Sequence, residues 1–293
     1  MAARFTHNRA MPELPEVEVT RRALEPVLEG ARITELHLGK PLRWPLRAAP
    51  EDLSGLRIDA VRRRGKYLLL HTGRGCLIVH LGMSGALLWT PASQSPPPRG
   101  PHEHAELLTD RGVLRLRDPR RFGAVIWHAG AGVDAHPLLR VLGPEPLDAG
   151  FGGATLQHML SGRTTAIKLA LLAQHLVAGV GNIYASEALF RAGIDPRTPA
   201  LRLGRAHCDR LGRAVRETLD RAVALGGSTL RDFAHSDGEA GCFQFEAQVY
   251  GRAGEPCRVC GTPIRQIRQG QRSTFFCPNC QKLLKPRRRS DNG

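Results

Sequence analysis

Hydrophobic and polar positions change period three times along the chain. After Pro15, Val17, Leu24 and Leu28 recur at helical spacing and Gly30 supplies a stop, which predicts one amphipathic helix at the start. From Ala31 to about His128 short apolar, β-branched runs (ARITELHL, YLLLHT, CLIVHLG, HAELLTD, GVLRLRD and GAVIWH) alternate with Gly and Pro. This rhythm predicts a β-sandwich or barrel. Within it, PASQSPPPRGP from Pro91 to Pro101 is a polar, proline-rich loop that need not be ordered. Beyond Gly143-Pro144-Glu145-Pro146 the period is helical in TLQHML, TTAIKLALLAQHL, NIYASEALFRAG and a long stretch from Arg205 to Leu225 closed by Gly226-Gly227. A second, mainly α domain is expected there. A glycine-bearing segment, HSDGEAGCF, then leads into QVYGR, a compact cysteine-rich end and a basic tail, KPRRRS. No internal repeat or heptad array interrupts this order.

A chain of 293 residues is long enough for two or three domains with their own cores. Its 42 Lys and Arg against 27 Asp and Glu give a formal charge of +15, a field that selects polyanions, nucleic acid first. The longest apolar runs, such as Tyr67 to Leu70, fall far short of a membrane span. The first ten residues, MAARFTHNRA, hold no apolar stretch of signal-peptide length, so a cytoplasmic location is expected.

Of the seven cysteines, Cys76, Cys208 and Cys242 are scattered. The other four form two pairs, Cys257-x2-Cys260 and Cys277-x2-Cys280, separated by 16 residues. Such spacing suits two thiolate pairs closing on one tetrahedral Zn²⁺. Four thiolates leave no open position, so the zinc is expected to be structural, and no organic cofactor is called for. Between the pairs, Arg265, Arg268 and Arg272 accompany the β-prone Thr274-Phe275-Phe276, which predicts a metal-fixed hairpin carrying arginines.

Met11-Pro12-Glu13-Leu14-Pro15-Glu16 places two prolines and two acids at a helix mouth, where both residue types are at home. A sharper chemistry appears if translation starts at Met11 and that methionine is removed, leaving Pro12 as a free secondary amine. An α-amino group with a pKa of about 7.7–8.0 is roughly a tenth neutral at pH 7, whereas a lysine at about 10.4 is neutral in fewer than about one molecule in a thousand. Attack by such an amine on a sugar carbon gives an iminium, the electron sink of Schiff-base chemistry, with Glu13 placed to act as acid or base. An internal proline nitrogen is a tertiary amide without nucleophilicity. Either the extension is a start-site artefact, or it is removed, or the product is inactive as a lyase; residues 1–11 are expected to be a start-site extension plus the initiator methionine, since the motif is otherwise intact.

PELPEVE after Met11, RRRGKYLLL around Lys66, HLGMSG from His80, DPRRFG from Asp118, GVGNIYASEALFRAGI from Gly179, QVYGR from Gln248 and the four-cysteine end follow one another in this order. Together, over Met11 to Lys282, they resemble the bacterial formamidopyrimidine-DNA glycosylases. The related endonuclease VIII enzymes usually have Pro-Glu-Gly where this chain has Pro12-Glu13-Leu14, so the resemblance favours the oxidised-purine branch. It implies an α+β multidomain fold: an N-terminal helix plus β-sandwich over 12–143, a helical domain with a helix-two-turns-helix over 144–247, a zinc hairpin over 248–285 and a basic tail over 286–293. It also implies a monomer that binds damaged double-stranded DNA in a basic cleft, excises 8-oxoguanine and formamidopyrimidines, and nicks the strand by β,δ-elimination.

Residue roles follow from the same resemblance. Pro12 attacks C1′, Glu13 assists ring opening, and Glu16 supports them at the helix mouth. Lys66 contacts a phosphate near the lesion and takes part in β-elimination; on its own it is a strand-end lysine. Arg272 grips the flanking phosphates and takes part in δ-elimination, a task that suits charge-assisted bidentate binding. An enzyme that extrudes a base must fill the gap, and Met83, Arg120 and Phe122 are implied to do so, with Arg120 bonding the orphan cytosine. Met83 and Phe122 alone fit a core, but an apolar wedge beside an arginine is the composition that kinks and reads DNA. Asn182, before the helix IYASEALF, matches a phosphate-binding asparagine, and a glycine-preceded helix mouth offers N–H donors for that purpose. Arg163 and His102 match further backbone contacts, and the stretch from His235 to Phe243, with Glu239 and Cys242, matches a loop that closes over the extruded base. Three rivals stay open: an endonuclease VIII-like pyrimidine glycosylase, a non-catalytic damage binder, and a structural zinc module of a larger assembly.

Overall fold

The structure, a computed structural model, describes residues 11–228 and 242–284. The extension over 1–10, the stretch from His235 to Gly241 with Glu239, and the tail over 286–293 lie outside the described residues. The first apolar stripe folds into helix α1 (Leu14–Leu28), with Pro15 in its first turn and Leu14, Val17, Leu24 and Leu28 buried.

Eight strands follow: β1 (Ile33–Leu38), β2 (Ile58–Arg64), β3 (Tyr67–Thr72), β4 (Gly75–His80), β5 (Ala86–Pro91), β6 (Glu103–Thr109), β7 (Gly112–Arg117) and β8 (Ala124–Ala129). They pair into two antiparallel sheets of order β1-β6-β7-β5 and β2-β3-β4-β8, the expected sandwich. Alternate positions from both sheets meet in one core, with Leu68, Leu70, Leu77 and Val79 from one and Leu36, Leu107, Leu114 and Leu116 from the other. Val17, Leu24 and Leu28 of α1 join the same core, which fixes the helix against the sandwich.

The proline-rich loop differs from expectation, because it is held in place. The buried Arg115 donates to the Pro97 carbonyl at 2.6 Å, Arg99 pairs with Glu106 at 3.1 Å, and the Gly100 N–H donates to Glu103 at 3.2 Å. Loop composition carries no record of cations on neighbouring strands.

By its contacts the chain divides into two compact units, one of Met1–Val141 with Ala222–Phe245, the other of Leu142–Arg221 with Glu246–Gly293. The second unit holds α2 (Gly153–Leu160), α3 (Ile167–Leu172), α4 (Asn182–Arg191), α5 (Arg205–Ala224) up to Arg221, and the hairpin of β9 (Arg265–Gln269) and β10 (Arg272–Phe276). Helix α3 is shorter than the apolar run around it. The Gln174 side chain turns the backbone instead, donating to the carbonyls of Leu172 and Val180 and accepting the Gly179 N–H at 2.8 Å. This folds the connection into the turns that deliver Asn182 to the start of α4. The buried Glu187 of α4 accepts three successive N–H groups, from Gln248, Val249 and Tyr250, at 2.8, 3.0 and 2.8 Å.

Removing that acceptor leaves buried donors without partners, each costing about 1–3 kcal/mol. Glu187→Ala is expected to lose about 3 kcal/mol of unfolding free energy in urea, whereas the exposed Glu217→Ala stays within about 0.5 kcal/mol of the parent. Equal midpoints for the two variants contradict this assignment.

Candidate functional site

Pro12 and Glu13 stand at the mouth of α1, where helical N–H groups favour a carboxylate. Glu13 is the N-cap, and the Glu16 carboxylate reaches back to accept the Glu13 N–H at 2.8 Å. The other Glu16 oxygen accepts the N–H of Ser228, also at 2.8 Å. Both acids are almost fully buried. Gly227 must be glycine here. Its φ is +79°, and a Cβ would come within 3.0 Å of the Glu16 Oε1. One carboxylate thus joins the helix mouth to a segment 212 positions away.

Lys66 sits at the tip of the β2–β3 hairpin, beside Gly65 with φ +55°, and Arg64 pairs with Tyr67 across the turn. A relay from α1 holds this tip. Glu18 accepts from Arg63 at 3.1 Å, and Arg63 donates onward to the Gly65 carbonyl at 3.0 Å. Burial pushes the Glu18 carboxyl up, but hydrogen bonds from Arg21 and Arg22 and the charges of Arg21 and Arg63 outweigh it, so its pKa lies below the ordinary value. Beside the tip, the His80 ring packs at a tilt against Tyr67, with centroids 4.8 Å apart, and accepts the Gly82 N–H through Nδ1. Burial first, then the charges of Lys66 and Arg43, lower its pKa to about 4, so the imidazole is neutral at pH 7.

Met83, Arg120 and Phe122 are brought together on two touching turns. Gly82 has φ +66°, and a Cβ there would come within 2.5 Å of the Phe122 and Gly123 backbone. The Arg120 guanidinium lies 4.9 Å from the centroid of the Phe122 ring, which is 42% exposed. An exposed phenyl under a cation is no core residue. His102 is exposed, and its carbonyl accepts the Asp118 N–H at 2.8 Å.

In the second unit Asn182 opens α4 and donates through Nδ2 to the Tyr250 hydroxyl at 3.3 Å and the Ser273 carbonyl at 3.1 Å. The fully buried Lys168 donates to that same carbonyl at 3.0 Å and to the Thr274 hydroxyl at 2.7 Å. These bonds tie α3 and α4 to β10, whose first residue is the exposed Arg272. Asn182 and Arg272 are thereby linked through Ser273. Arg163 is not drawn into this group; it donates to the Met159 carbonyl at 2.8 Å at the end of α2. His80, Lys168, Glu187 and Tyr250 lie outside the predicted site residues. A charged residue amid apolar neighbours, as in IKLALL and YASEALF, was the available signal for Lys168 and Glu187.

The four thiol sulfurs of Cys257, Cys260, Cys277 and Cys280 all lie within 4.8 Å of one another. Separations of 3.8 Å between Cys257 and Cys280 and 3.5 Å between Cys260 and Cys277 fit a tetrahedron of Zn–S bonds of about 2.3 Å. Val249, Ile264 and Phe275 pack around the cluster. So small a core depends on its metal, and the site is that of a structural zinc.

Three family models match the chain in order. These are the formamidopyrimidine-DNA glycosylase N-terminal domain over residues 11–125, the formamidopyrimidine-DNA glycosylase H2TH domain over 142–234, and the zinc finger found in FPG and IleRS over 254–283. The formamidopyrimidine-DNA glycosylase of Acidovorax sp. (strain JS42) is 57% identical over 273 residues, covering 93% of this chain and 100% of that protein. That of Burkholderia pseudomallei (strain K96243) is 56% identical over 276 residues, with the same coverage. Among solved structures, the MutM (Fpg) protein of Thermus thermophilus is 42% identical with a TM-score of 0.82, covering 92% of this chain and 98% of that one. Lactococcus lactis Fpg in complex with DNA containing an abasic site is 35% identical with a TM-score of 0.83, covering 92% and 99%.

The depressed Glu18 pKa carries a pH signature. A carboxyl whose folded pKa lies below its unfolded value stabilises fully above that value, near 4.5, and loses the contribution as pH falls toward the folded one. The Tm difference between the parent and Glu18→Gln is expected to stay constant from neutral pH down to about pH 5 and to shrink below it. A difference that widens on acidification contradicts the relay.

Proposed function

Because the chain belongs to the formamidopyrimidine-DNA glycosylase family, we propose that Pro12, exposed as the first residue, is the nucleophile with which it excises oxidised purines from duplex DNA and nicks the strand. The protein is a bifunctional DNA glycosylase and AP lyase of base excision repair. Its substrates are 8-oxoguanine and formamidopyrimidines in double-stranded DNA. The observation that carries the Pro12 assignment is the buried Pro12-Glu13 mouth of α1, clamped by Glu16, at the point where the family match begins. That coincidence supports translation from Met11, with residues 1–11 absent from the mature chain.

In this reading the Pro12 nitrogen forms a bond to the sugar C1′ as the glycosidic bond breaks; the bond's electron pair leaves with the base, which takes up the proton that Pro12 gives up. Glu13 delivers a proton to the ring oxygen, the sugar opens, and C1′ is held as an iminium. Loss of the C2′ proton into this sink expels the 3′ phosphate. A second elimination expels the 5′ phosphate and releases the sugar remnant. Lys66, on its fixed hairpin tip, serves the first elimination, and Arg272 grips the flanking phosphates for the second. Met83, Arg120 and Phe122 fill the gap left by the extruded base. Asn182, with His102 and Arg163, contacts the DNA backbone. The domain boundaries at 12–143, 144–247 and 248–285 and action as a cytoplasmic monomer belong to the same proposal. Among the described residues no helix is long and apolar enough to cross a membrane.

The test compares protein begun at Met1 with protein begun at Met11, each incubated with an 8-oxoguanine·cytosine duplex and borohydride, with intact mass defining each N-terminus. Only protein with Pro12 exposed is expected to become covalently joined to DNA, and a thymine glycol duplex is expected to trap less. Mature Pro12 protein that binds the duplex but never cross-links instead supports a non-catalytic damage binder.

A further inference from the structure

Both turns that carry the gap-filling residues converge on one side chain. Asp118 is fully buried. Its Oδ1 accepts the Ser84 hydroxyl at 2.9 Å and the Arg120 N–H at 3.3 Å, and its Oδ2 accepts the Gly123 N–H at 2.7 Å. Through its backbone it donates to the His102 carbonyl at 2.8 Å and accepts the Arg121 N–H at 3.1 Å. Ser84 adjoins Met83 in the chain, while Arg120 and Gly123 bracket Arg121 and Phe122. All three parts of the wedge and the His102 segment therefore meet at a single aspartate.

The chemistry of the contacts is specific to a carboxylate. Every group on the Asp118 side-chain oxygens is a donor, and they occupy both oxygens. An amide of the same shape accepts at one end only and turns N–H groups toward donors at the other. The turn also needs this hold. Arg121 sits at φ +57°, a left-handed conformation that L residues other than glycine adopt only when their surroundings over-determine it. Bonds to Arg120, Arg121 and Gly123 surround it on both sides. Buried and fully engaged, Asp118 is not placed to touch DNA itself.

We propose that Asp118 is the positioning residue of the wedge, holding Met83, Arg120 and Phe122 in register before DNA arrives, so that their insertion into a duplex carries little ordering cost. This inference rests on the DNA glycosylase reading. It predicts a split between substrates, because a wedge matters only where a base pair must be opened and an orphan base supported. Pro12 and Glu13 act on an abasic sugar in either context.

Single-turnover nicking of an 8-oxoguanine·cytosine duplex and of a single-stranded abasic oligonucleotide is measured for the parent, Asp118→Asn and Ser84→Ala, all begun at Met11 so that Pro12 is the first residue, with thermal melting to confirm folding. Asp118→Asn is expected to slow the duplex reaction about ten- to hundredfold, and Ser84→Ala about three- to tenfold, as one charge-assisted bond or more is lost. Nicking of the single strand is expected to stay within about twofold of the parent for both variants, since neither residue belongs to the nucleophile's surroundings. Equal loss on both substrates, or none on either, overturns the proposal; if Asp118→Asn does not fold, Ser84→Ala decides it by the same comparison. A parent that nicks neither substrate refutes the glycosylase reading and this inference with it. An active parent whose split is absent refutes the inference alone.

Discussion

A single buried carboxylate, that of Glu16, holds the mouth of α1 in place. It accepts the Glu13 N–H and the Ser228 N–H at 2.8 Å each, so the first turn of α1 cannot move without the Gly226–Ser228 segment. A buried charge is tolerated only where hydrogen bonds replace its hydration, and here the helix mouth contributes as well. The constraint propagates in both directions. Gly227 leaves no space for a side chain against Glu16, and α1, locked by Val17, Leu24 and Leu28 into the sandwich core, passes the position of its mouth through Glu18 and Arg63 to the hairpin tip of Lys66.

Electrostatics explain why so basic a chain does not spread its charge indiscriminately. Many arginines are structural: Arg21 and Arg63 are occupied by Glu18, Arg115 by Glu106 and Pro97, Arg216 by the Leu147 and Phe151 carbonyls, and Arg252 by Glu255 and two carbonyls. Others, Arg120, Arg265, Arg268 and Arg272 among them, are exposed. This second group presents its charge to solvent, and composition alone does not separate the two.

Much of this was legible in the chain. The zinc site was written in two cysteine pairs, and the sandwich in alternating runs whose inward positions now form the core. Strands β2 and β5 are not among those runs. In β2, an edge strand, only Ile58 and Val61 are fully buried while three arginines fill its end, so the period is too sparse to register. The proline-rich loop and the early end of α3 escaped for a different reason. Arg115 and Gln174 act there across the fold, and one-dimensional patterns do not contain such partners. Motifs located Glu16 and the Asp118 turn but not what they hold, since Ser228 and Ser84 come to them through tertiary structure.

In the proposed function the Glu16 clamp sets Pro12 and Glu13 for attack on the sugar. Its most direct test is the single-turnover rate of borohydride-trapped adduct formation by Glu16→Gln protein begun at Met11, with duplex affinity measured alongside. An amide turns N–H groups toward one of the two donors, so adduct formation is predicted to slow by about tenfold or more, while affinity stays within about twofold. An unchanged adduct rate in a folded Glu16→Gln protein would contradict the account.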